Sequence, residues 1–332
     1  MLESRVALNT EGGLSPRFNM RVLVTGASGF VGTALCRELL ARGHTVRAAV
    51  RRVIPQGALP PGLHQILVPD IAADFDRRAL VGGVDAVVHL AAIAHRTNPI
   101  EAEMLRVNCD SAVRLAEAAA GLVRRFIFMS SVKVHGEDSG GRTYGEEDTL
   151  APEDSYGRSK LEAERALTET AARNGMELAI IRPPLVYGPG VKANFLRLLG
   201  WIYSGLPLPL ASVRNRRSLI YVGNLVDAIA RCAEHPAARG PFLVSDEESV
   251  STPELVSRIA RALGRPARLV PAPPVILRVA GMILGRRDEI RRLTGSLVVD
   301  SSRARRLLDW RPPYALDAGL AETARWFRSA RG

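Results

Sequence analysis

The chain has 332 residues, of which 47% are apolar, and a formal net charge of +11. No apolar run approaches the roughly 18 to 20 residues that cross a bilayer, and the N-terminus lacks the basic-then-apolar order of a secretory signal. The basic residues, nearly all arginine, are scattered rather than gathered with aromatic residues into a nucleic-acid-binding module. We therefore predict a cytoplasmic protein with no stable membrane insertion and no nucleic-acid partner. Its positive field would attract a small anion, such as a dinucleotide or a sugar nucleotide.

Residues 1–19 carry no clear periodicity and are predicted to be a disordered extension before Met20. From there strands and helices alternate, which predicts an α/β fold with a doubly wound parallel sheet of the Rossmann type. The predicted strands are 21–25, 45–50, 65–68, 85–90, 124–130 and 177–182. The predicted helices lie near 29–42, 101–121 and 153–174, with Gly43 and Gly121 at helix ends.

After Arg182 the pattern changes to segments punctuated by proline and glycine, which indicates a second, smaller α/β domain. We predict a dinucleotide-binding domain over 20–183, to which 218–246 returns. The substrate-binding domain would then comprise 184–217 and 247–332. Its most apolar stretch, 270–284, is expected to be an ordinary packed helix after a proline loop, with contact to a membrane surface as the alternative.

Three glycines, Gly26, Gly29 and Gly32, follow the first predicted strand and open the first predicted helix. In that context glycines allow a sharp turn, close approach to a pyrophosphate and tight packing of the helix on the sheet. The helix N-terminus would then face the phosphates. The turn therefore predicts a dinucleotide site, to which neighbouring residues also belong: Ser28, Phe30 and Val31.

The end of the second strand indicates which nicotinamide cofactor is preferred. An acidic residue usually binds the ribose there in NAD sites, but this chain has Val50 followed by Arg51 and Arg52. Because two arginines suit a 2′-phosphate, NADP(H) is favoured, with NAD(H) as the alternative. The other predicted cofactor contacts lie after later strands: Asp70 and Ile71 beside the adenine, then Leu90, Ala91, Ala92, Ser130 and Pro183.

Tyr156 and Lys160 are four residues apart in a predicted helix, 25 residues after Ser131. This spacing places the phenol and the ammonium one turn apart on the same face, so the lysine charge is expected to lower the pKa of Tyr156 toward neutrality. A phenol with such a pKa can exchange protons with a carbonyl group. The arrangement predicts a redox enzyme.

Three cysteines and two histidines are candidate metal ligands. The cysteines are few, odd in number and widely spaced, so reduced and mostly buried thiols are expected: Cys36, Cys109 and Cys232. His89 and His135 each stand alone and are expected to be hydrogen-bonded structural residues. No metal site is predicted.

These motifs, together with His89-Leu90-Ala91-Ala92 and Val107-Asn108, occur in the order of the extended short-chain dehydrogenase/reductase family, which the chain resembles from Met20 onward. The family includes nucleotide-sugar enzymes such as UDP-galactose 4-epimerase. The resemblance implies that Tyr156 is the general acid or base, that Lys160 is its partner and a ribose ligand, and that Ser131 donates to the reacting oxygen. Asn108 would support the active-site helix.

The resemblance also implies a nucleotide-sugar substrate and a homodimer formed through the helices at 101–121 and 153–174. The residues implied to contact the substrate, besides Ser131, are Lys133, Asn194 and Arg217. In the related 4,6-dehydratases an Asp-Glu pair follows the active-site serine or threonine, whereas here Val132-Lys133 follows, so dehydration is not expected.

The stretches 130–137 and 293–297, together with Asp300, resemble a bacterial branch that reduces 4-keto sugars for surface polysaccharides. They favour NADPH-dependent reduction of a substrate of the UDP-4-keto-6-deoxy-N-acetylhexosamine type. Three alternatives stay open: a UDP-hexose 4-epimerase with tightly bound NAD, a reductase of small non-sugar ketones, and an inactive NADP-sensing protein. The base, the sugar and the stereochemistry at C4 depend on pocket shape and are not predicted.

Overall fold

The computed structural model describes residues 19–54, 62–94, 100–283, 285 and 287–331. The predicted N-terminal extension therefore lies, apart from residue 19, outside the described residues. The strands are β1 (Arg21–Thr25), β2 (Thr45–Val50), β3 (Leu63–Leu67), β4 (Ala86–His89), β5 (Arg125–Met129), β6 (Thr143–Tyr144), β7 (Glu177–Arg182), β8 (Leu185–Tyr187), β9 (Arg217–Tyr221), β10 (Gly240–Leu243), β11 (Ser249–Val250) and β12 (Val298–Val299).

The α-helices alternate with these strands in the first half and are more frequent in the second. They are α1 (Phe30–Ala41), α2 (Arg77–Val81), α3 (Glu101–Leu105), α4 (Ser111–Ala119), α5 (Ser155–Asn174), α6 (Ala193–Tyr203), α7 (Val222–Glu234), α8 (Thr252–Leu263), α9 (Pro274–Ile283), α10 (Arg287–Thr294), α11 (Ser302–Leu308) and α12 (Leu316–Ser329).

A seven-stranded parallel sheet has the order β10-β7-β5-β4-β1-β2-β3, and this confirms the predicted α/β doubly wound fold. The six predicted strands all belong to it. The third begins at Leu63, two residues before the predicted start, because Leu63 pairs with Val46 in the register of β2. Gly43 and Gly121 follow helix ends in the left-handed region, with φ of +87° and +72°.

Both faces of this sheet are covered, as the alternation along β1 illustrates. Val22 and Val24 lie in one apolar cluster with side chains of α1 and α7, whereas Leu23 lies in a second cluster with side chains of α4 and α5. Because successive strand residues point to opposite faces, an uninterrupted apolar strand is buried on both sides. The packing therefore covers both faces of the central strands, whereas the edge strand β3 stays partly exposed.

The helix predicted over 101–121 is interrupted, which corrects the sequence prediction. Between α3 and α4 the turn Arg106–Asp110 is π-helical and buries Asn108. A π-helical turn adds a residue to the helical cycle and rotates the side chains that follow, and such turns are frequent at functional sites. No local residue pattern marks it, because it depends on how Asn108 packs.

The remaining strands form two smaller groups. β8, β9 and β11 make a three-stranded sheet, and β12 pairs with β6. A third apolar cluster contains side chains of α6, α8 and α12. Within 218–246, α7 and β10 pack with the large sheet, whereas β9 pairs with β8. The division of the chain into two domains stays a prediction.

The three cysteines are free and buried, as expected. Burial raises the pKa of the Cys36 and Cys232 thiols to about 12, and burial together with Asp110 raises that of Cys109 to about 11. In the described parts of the chain, no helix is both long and apolar enough to cross a membrane.

Candidate active site

Four loops that the sequence assigns to a cofactor follow neighbouring parallel strands. Gly26 follows β1, Leu90 follows β4, Ser130 follows β5 and Pro183 follows β7. Since the carboxyl ends of parallel strands meet at one edge, these loops lie together, where ligands of such sheets bind. Backbone hydrogen bonds continue the sheet into the loops. The Ser130 amide donates to the Ile181 carbonyl at 2.8 Å, and the Leu90 amide donates to the Thr25 carbonyl at 3.3 Å.

The glycine turn is packed too closely for side chains. Gly26 has φ of +68°, and a Cβ there would lie 2.8 Å from the Ala91 nitrogen. A Cβ on Gly32 would lie 2.1 Å from the Gly26 carbonyl oxygen. Gly29 is the N-cap of α1 and offers no side chain to the first helical N–H groups. A turn of this shape at a helix N-terminus fits a dinucleotide pyrophosphate.

The remaining predicted cofactor residues surround this turn with different exposures. Ser28, Ala92 and Asp70 are exposed, while the side chains of Phe30, Val31, Ile71 and Leu90 are half-buried. Arg51 and Arg52 are exposed directly after the buried Val50 at the end of β2. The structure thus places the arginine pair at the same sheet edge as the glycine turn.

Tyr156 lies in the first turn of α5, whose start is set by Asp154. The Asp154 carboxylate is the N-cap and accepts from the Gly157 amide at 2.7 Å. Gly157 allows the helix to approach the turn after Ser131, because a Cβ at 157 would lie 2.8 Å from the Lys133 carbonyl oxygen. This close packing brings the Ser131 loop beside the N-terminal turn of α5.

Lys160 is buried one turn further along α5. Its ammonium donates to the Met129 carbonyl at 2.8 Å and lies 5.9 Å from the centre of the Tyr156 ring. It also lies 4.6 Å from the centre of the Phe128 ring. Burial lowers the pKa of Lys160 to about 7, against the opposing charge of Glu164. Burial therefore works against the charged form of Lys160 in the protein by itself.

The expectation that Lys160 lowers the pKa of Tyr156 is wrong for the protein by itself. Burial raises the pKa of the Tyr156 phenol, and the neighbouring Asp154 carboxylate raises it further. The desolvation of both groups is the physical reason, because it disfavours the tyrosinate and the lysine ammonium alike. In this state Tyr156 is a protonated phenol, suited to donate rather than to accept a proton.

Asn108 joins the loop after β4 to α5. Its amide oxygen accepts from the Ile93 amide at 2.8 Å, and its amide nitrogen donates to the Ile93 carbonyl at 3.1 Å and to Ser159 Oγ at 3.0 Å. Ser159 in turn donates to the Tyr156 carbonyl at 2.8 Å. These contacts connect the loop after β4 to the first turns of α5, and the role of Asn108 in the reaction stays a prediction.

A buried ion pair behind Lys160 is missing from the sequence prediction. Glu164 pairs with Arg182 at 2.6 Å and accepts from the Ser130 hydroxyl. Arg182 also contacts His135 Nε2 at 3.1 Å. The available signal was the position of Glu164, one helical turn after Lys160 on the same face. The pair anchors the serine loop and the middle of α5 to Arg182 at the end of β7.

The two histidines are hydrogen-bonded, as the sequence predicts. His89 Nδ1 lies 3.0 Å from Thr25 Oγ1, and burial together with Lys160 lowers the pKa of His89 to about 3. Burial together with Arg182 lowers the pKa of His135 to about 4. Within the described residues, no three His, Cys, Asp or Glu side chains are grouped so that they could hold a metal ion.

Lys133 bridges two carboxylates next to the active-site helix. Its ammonium contacts Glu137 and lies 2.5 Å from Asp154 Oδ2. Glu137 is also bonded to Arg292 of α10 at 3.0 Å. Burial raises the pKa of Glu137, but the hydrogen bonds and charges of Lys133 and Arg292 outweigh it and lower the pKa to about 2. The predicted substrate contact of Lys133 stays a prediction.

We expect Glu137→Gln to destabilise the protein by roughly 3 kcal/mol at pH 7. In the unfolded chain the pKa of Glu137 is near 4.3, and in the folded protein it is about 2, so the ionised carboxylate stabilises the fold above about pH 4.3. This contribution is lost as pH falls through about 2. The variant should therefore lose less stability than wild type between about pH 5 and 2. Urea unfolding across this range measures both effects. Glu147→Gln, at a carboxylate 91% exposed, is the control. Equal pH dependence in wild type and Glu137→Gln would contradict this account.

The two weaker substrate candidates lie on different elements. Asn194 is exposed in the first turn of α6, beside Ala193, whose φ of +53° is unusual for a residue other than glycine. Such strain is concentrated at functional positions. Arg217 is half-buried and donates to the Gly295 carbonyl at 3.1 Å. Their contacts to a nucleotide stay predictions.

Comparisons with known proteins agree with this geometry. The model of the NAD dependent epimerase/dehydratase family matches residues 22–244, which include the glycine turn, Ser131, Tyr156 and Lys160. A Vibrio cholerae protein named UDP-glucose 4-epimerase is 44% identical over 318 residues, covering 93% of this chain and 96% of that protein. A UDP-glucose 4-epimerase of Mycolicibacterium smegmatis is 31% identical and covers 93% of this chain and 99% of its own length.

A solved structure, MoeE5 in complex with UDP-glucose and NAD, is similar to the whole fold. It has a TM-score of 0.75 and 29% identity and covers 94% of this chain and 100% of MoeE5. The family match extends over both the dinucleotide turn and the Tyr-x-x-x-Lys helix, and the relatives match almost end to end. The chain therefore belongs to the NAD dependent epimerase/dehydratase family and is an NAD-dependent enzyme of the extended short-chain dehydrogenase/reductase type.

Proposed function

We propose that the protein is a UDP-hexose 4-epimerase that uses NAD. The observation that carries this proposal is the 44% identity, over 93% of the chain, to the Vibrio cholerae UDP-glucose 4-epimerase. The likeness to MoeE5, whose structure holds UDP-glucose and NAD, supports the same substrate class and cofactor. The preference for NADP(H) that the sequence favoured finds no support in these relatives, and the NAD alternative takes its place.

In this proposal the glycine turn and the loops after β4, β5 and β7 hold the dinucleotide, with Lys160 near its ribose. NAD, when bound there, would supply the acceptor for the hydride that leaves C4 of the sugar. Tyr156 as tyrosinate takes the proton of the C4 hydroxyl, and Ser131 donates a hydrogen bond to that oxygen. The charged form of Lys160 favours the tyrosinate, in opposition to the burial that raises the pKa of Tyr156.

After oxidation the phenol of Tyr156 has the proton that the sugar lost, so it can return it when C4 is reduced from the opposite face. The high pKa of Tyr156 suits this second half, because a protonated phenol is the donor that a keto oxygen requires. Asn108, Ser159 and the Glu164–Arg182 pair hold α5 and the serine loop in place during both halves.

The test is whether the purified chain interconverts UDP-glucose and UDP-galactose without net consumption of cofactor. We expect NAD to co-purify with the protein or to activate it when added, and NADPH to be ineffective. Stoichiometric NADPH oxidation with a UDP-4-keto-6-deoxy-N-acetylhexosamine, with no UDP-hexose interconversion, would instead identify the 4-keto reductase. Turnover of small ketones alone would identify a non-sugar reductase, and NADP binding without turnover would identify the sensing protein.

One feature favours the 4-keto reductase as the second candidate. Arg51 and Arg52 are exposed at the end of β2, where a 2′-phosphate of NADP would lie. Replacing both by alanine separates the candidates, because only an enzyme that uses NADPH would show a higher KM for its cofactor. An unchanged response to NAD in this variant is expected for the epimerase.

We further propose that the active protein is a cytoplasmic homodimer formed through α3, α4 and α5. Tyr156 lies on α5, so the proposed interface would also support the helix that holds the phenol. Light scattering of the purified chain tests the dimer, and a monomer at assay concentration would contradict it. We also propose that the chain divides into two domains, with the substrate-binding domain built from 184–217 and 247–332.

A further inference from the structure

The helix α9 is apolar on two opposite sides, only one of which is packed against the protein. Leu277 is 6% exposed and lies in the third apolar cluster, and Gly281, one turn later, is also buried. The other side carries five large apolar side chains that are between 44% and 79% exposed: Val275, Ile276, Val279, Met282 and Ile283. The expectation of an ordinary packed helix is therefore correct for one side only.

Helical spacing shows that these five side chains form one continuous surface, which we call the α9 stripe. Positions 275, 279, 282 and 283 follow the i, i+4, i+7, i+8 pattern, and 276 adjoins them, so the stripe is about 120° wide. Single exposed apolar residues are common on protein surfaces and need no explanation. Five on one face of a ten-residue helix indicate an interaction surface.

The charge of the surrounding segment indicates what covers the α9 stripe. Residues 264–290 contain five arginines and only two acidic residues, a formal net charge of +3. A second copy of the chain docked stripe to stripe would bring two such positive segments together, which is unfavourable. A bilayer surface rich in anionic lipid offers both the apolar layer and the opposite charge. Short apolar helices with adjoining basic residues lie in the plane of such surfaces.

We propose that α9 binds reversibly to the surface of an anionic membrane, with the α9 stripe facing the acyl chains and the net positive charge of residues 264–290 favouring the anionic headgroups. The helix is about 15 Å long, which suits an orientation in the membrane plane and not across it. The α9 stripe includes none of the residues assigned to the cofactor, to catalysis or to the substrate, so the proposal does not depend on the reaction that the enzyme catalyses.

The test is co-sedimentation of the full chain with vesicles of phosphatidylcholine alone or mixed with phosphatidylglycerol. We expect binding to the mixed vesicles at low salt, weaker binding at high salt, and little binding to phosphatidylcholine alone. The double variant Ile276→Asp/Ile283→Asp should lower the partition coefficient at least about tenfold. The milder Ile283→Ser should lower it by a smaller amount.

The matched control is Leu122→Asp/Leu307→Asp, which places the same charges at two apolar residues, each 41% exposed, away from α9. It should bind mixed vesicles nearly as wild type does. Circular dichroism and thermal unfolding establish that all variants fold. The proposal is overturned if wild type does not sediment with anionic vesicles at low salt, or if the α9 variants sediment as well as wild type. A wild-type dimer that Ile276→Asp/Ile283→Asp converts to a monomer, without vesicle binding, would assign the stripe to a second copy.

Discussion

Replacing Tyr156 by phenylalanine is expected to lower kcat by about 10²- to 10⁴-fold, because the variant loses the group that exchanges the proton at C4. The ring keeps its place in the first turn of α5, so folding and NAD affinity should stay close to wild type. The raised pKa of Tyr156 favours the protonated phenol, which is the form that donates when the keto sugar is reduced, and opposes the tyrosinate of the first step. Initial rates with UDP-glucose, together with NAD titration, measure both quantities.

Tyr314→Phe is the matched control for this variant, because it removes the same hydroxyl from a tyrosine that is 50% exposed. Its kcat should be unchanged. If Tyr156→Phe retains more than about a tenth of the wild-type kcat, proton transfer by Tyr156 is not required, and another group must carry it. Loss of NAD binding in this variant would instead indicate a disturbed site and would not bear on proton transfer.

Gly32→Ala is expected to weaken NAD binding by about 10- to 100-fold and to lower thermal stability. The added Cβ would lie 2.1 Å from the Gly26 carbonyl oxygen, so the glycine turn or α1 must move. Overpacking of this kind costs about 1–3 kcal/mol, which corresponds to that range of affinity. Because both contacting groups are backbone, no side chain can rotate away to relieve the clash. NAD titration and thermal unfolding are the measurements.

Gly200→Ala serves as the control, since it makes the same substitution within α6. A Cβ there would lie 3.5 Å from Arg331 Nη2, an ordinary contact. Because alanine is the better residue within a helix, this variant should be as stable as wild type or more stable by about 0.5–1 kcal/mol. NAD affinity that is equal in Gly32→Ala and wild type would refute the assignment of the glycine turn to the pyrophosphate.

The exposure of α9 shows what an apolar sequence pattern can predict and what it cannot. The apolar character of 270–284 and the proline loop before it were evident from the residues, and they predicted a helix. Which side of that helix is covered depends on α10, the next helix, and on the third apolar cluster, most of whose residues lie far from α9 in the sequence. Periodicity identifies the apolar face of a helix but not the element that packs against that face.

The strands of the central sheet, and the residues proposed to form the site at its edge, could be predicted from local sequence patterns. Buried parallel strands are short apolar runs, so the six strands of the large sheet were predicted correctly, and the glycine turn lies between the first strand and α1 as its pattern predicted. The four-residue spacing of Tyr156 and Lys160 follows from helical geometry alone.

Only the tertiary structure decided the electrostatics and the support of that site. The direction of the Tyr156 pKa depends on desolvation by groups from several elements, and it is opposite to the direction expected from Lys160 alone. The π-helical turn at Asn108 and the pair of Glu164 with Arg182 depend on contacts between residues far apart in the chain. Spacing along the chain thus determined which groups share a helix face. Their protonation depends on burial, and burial is decided only when distant segments pack together.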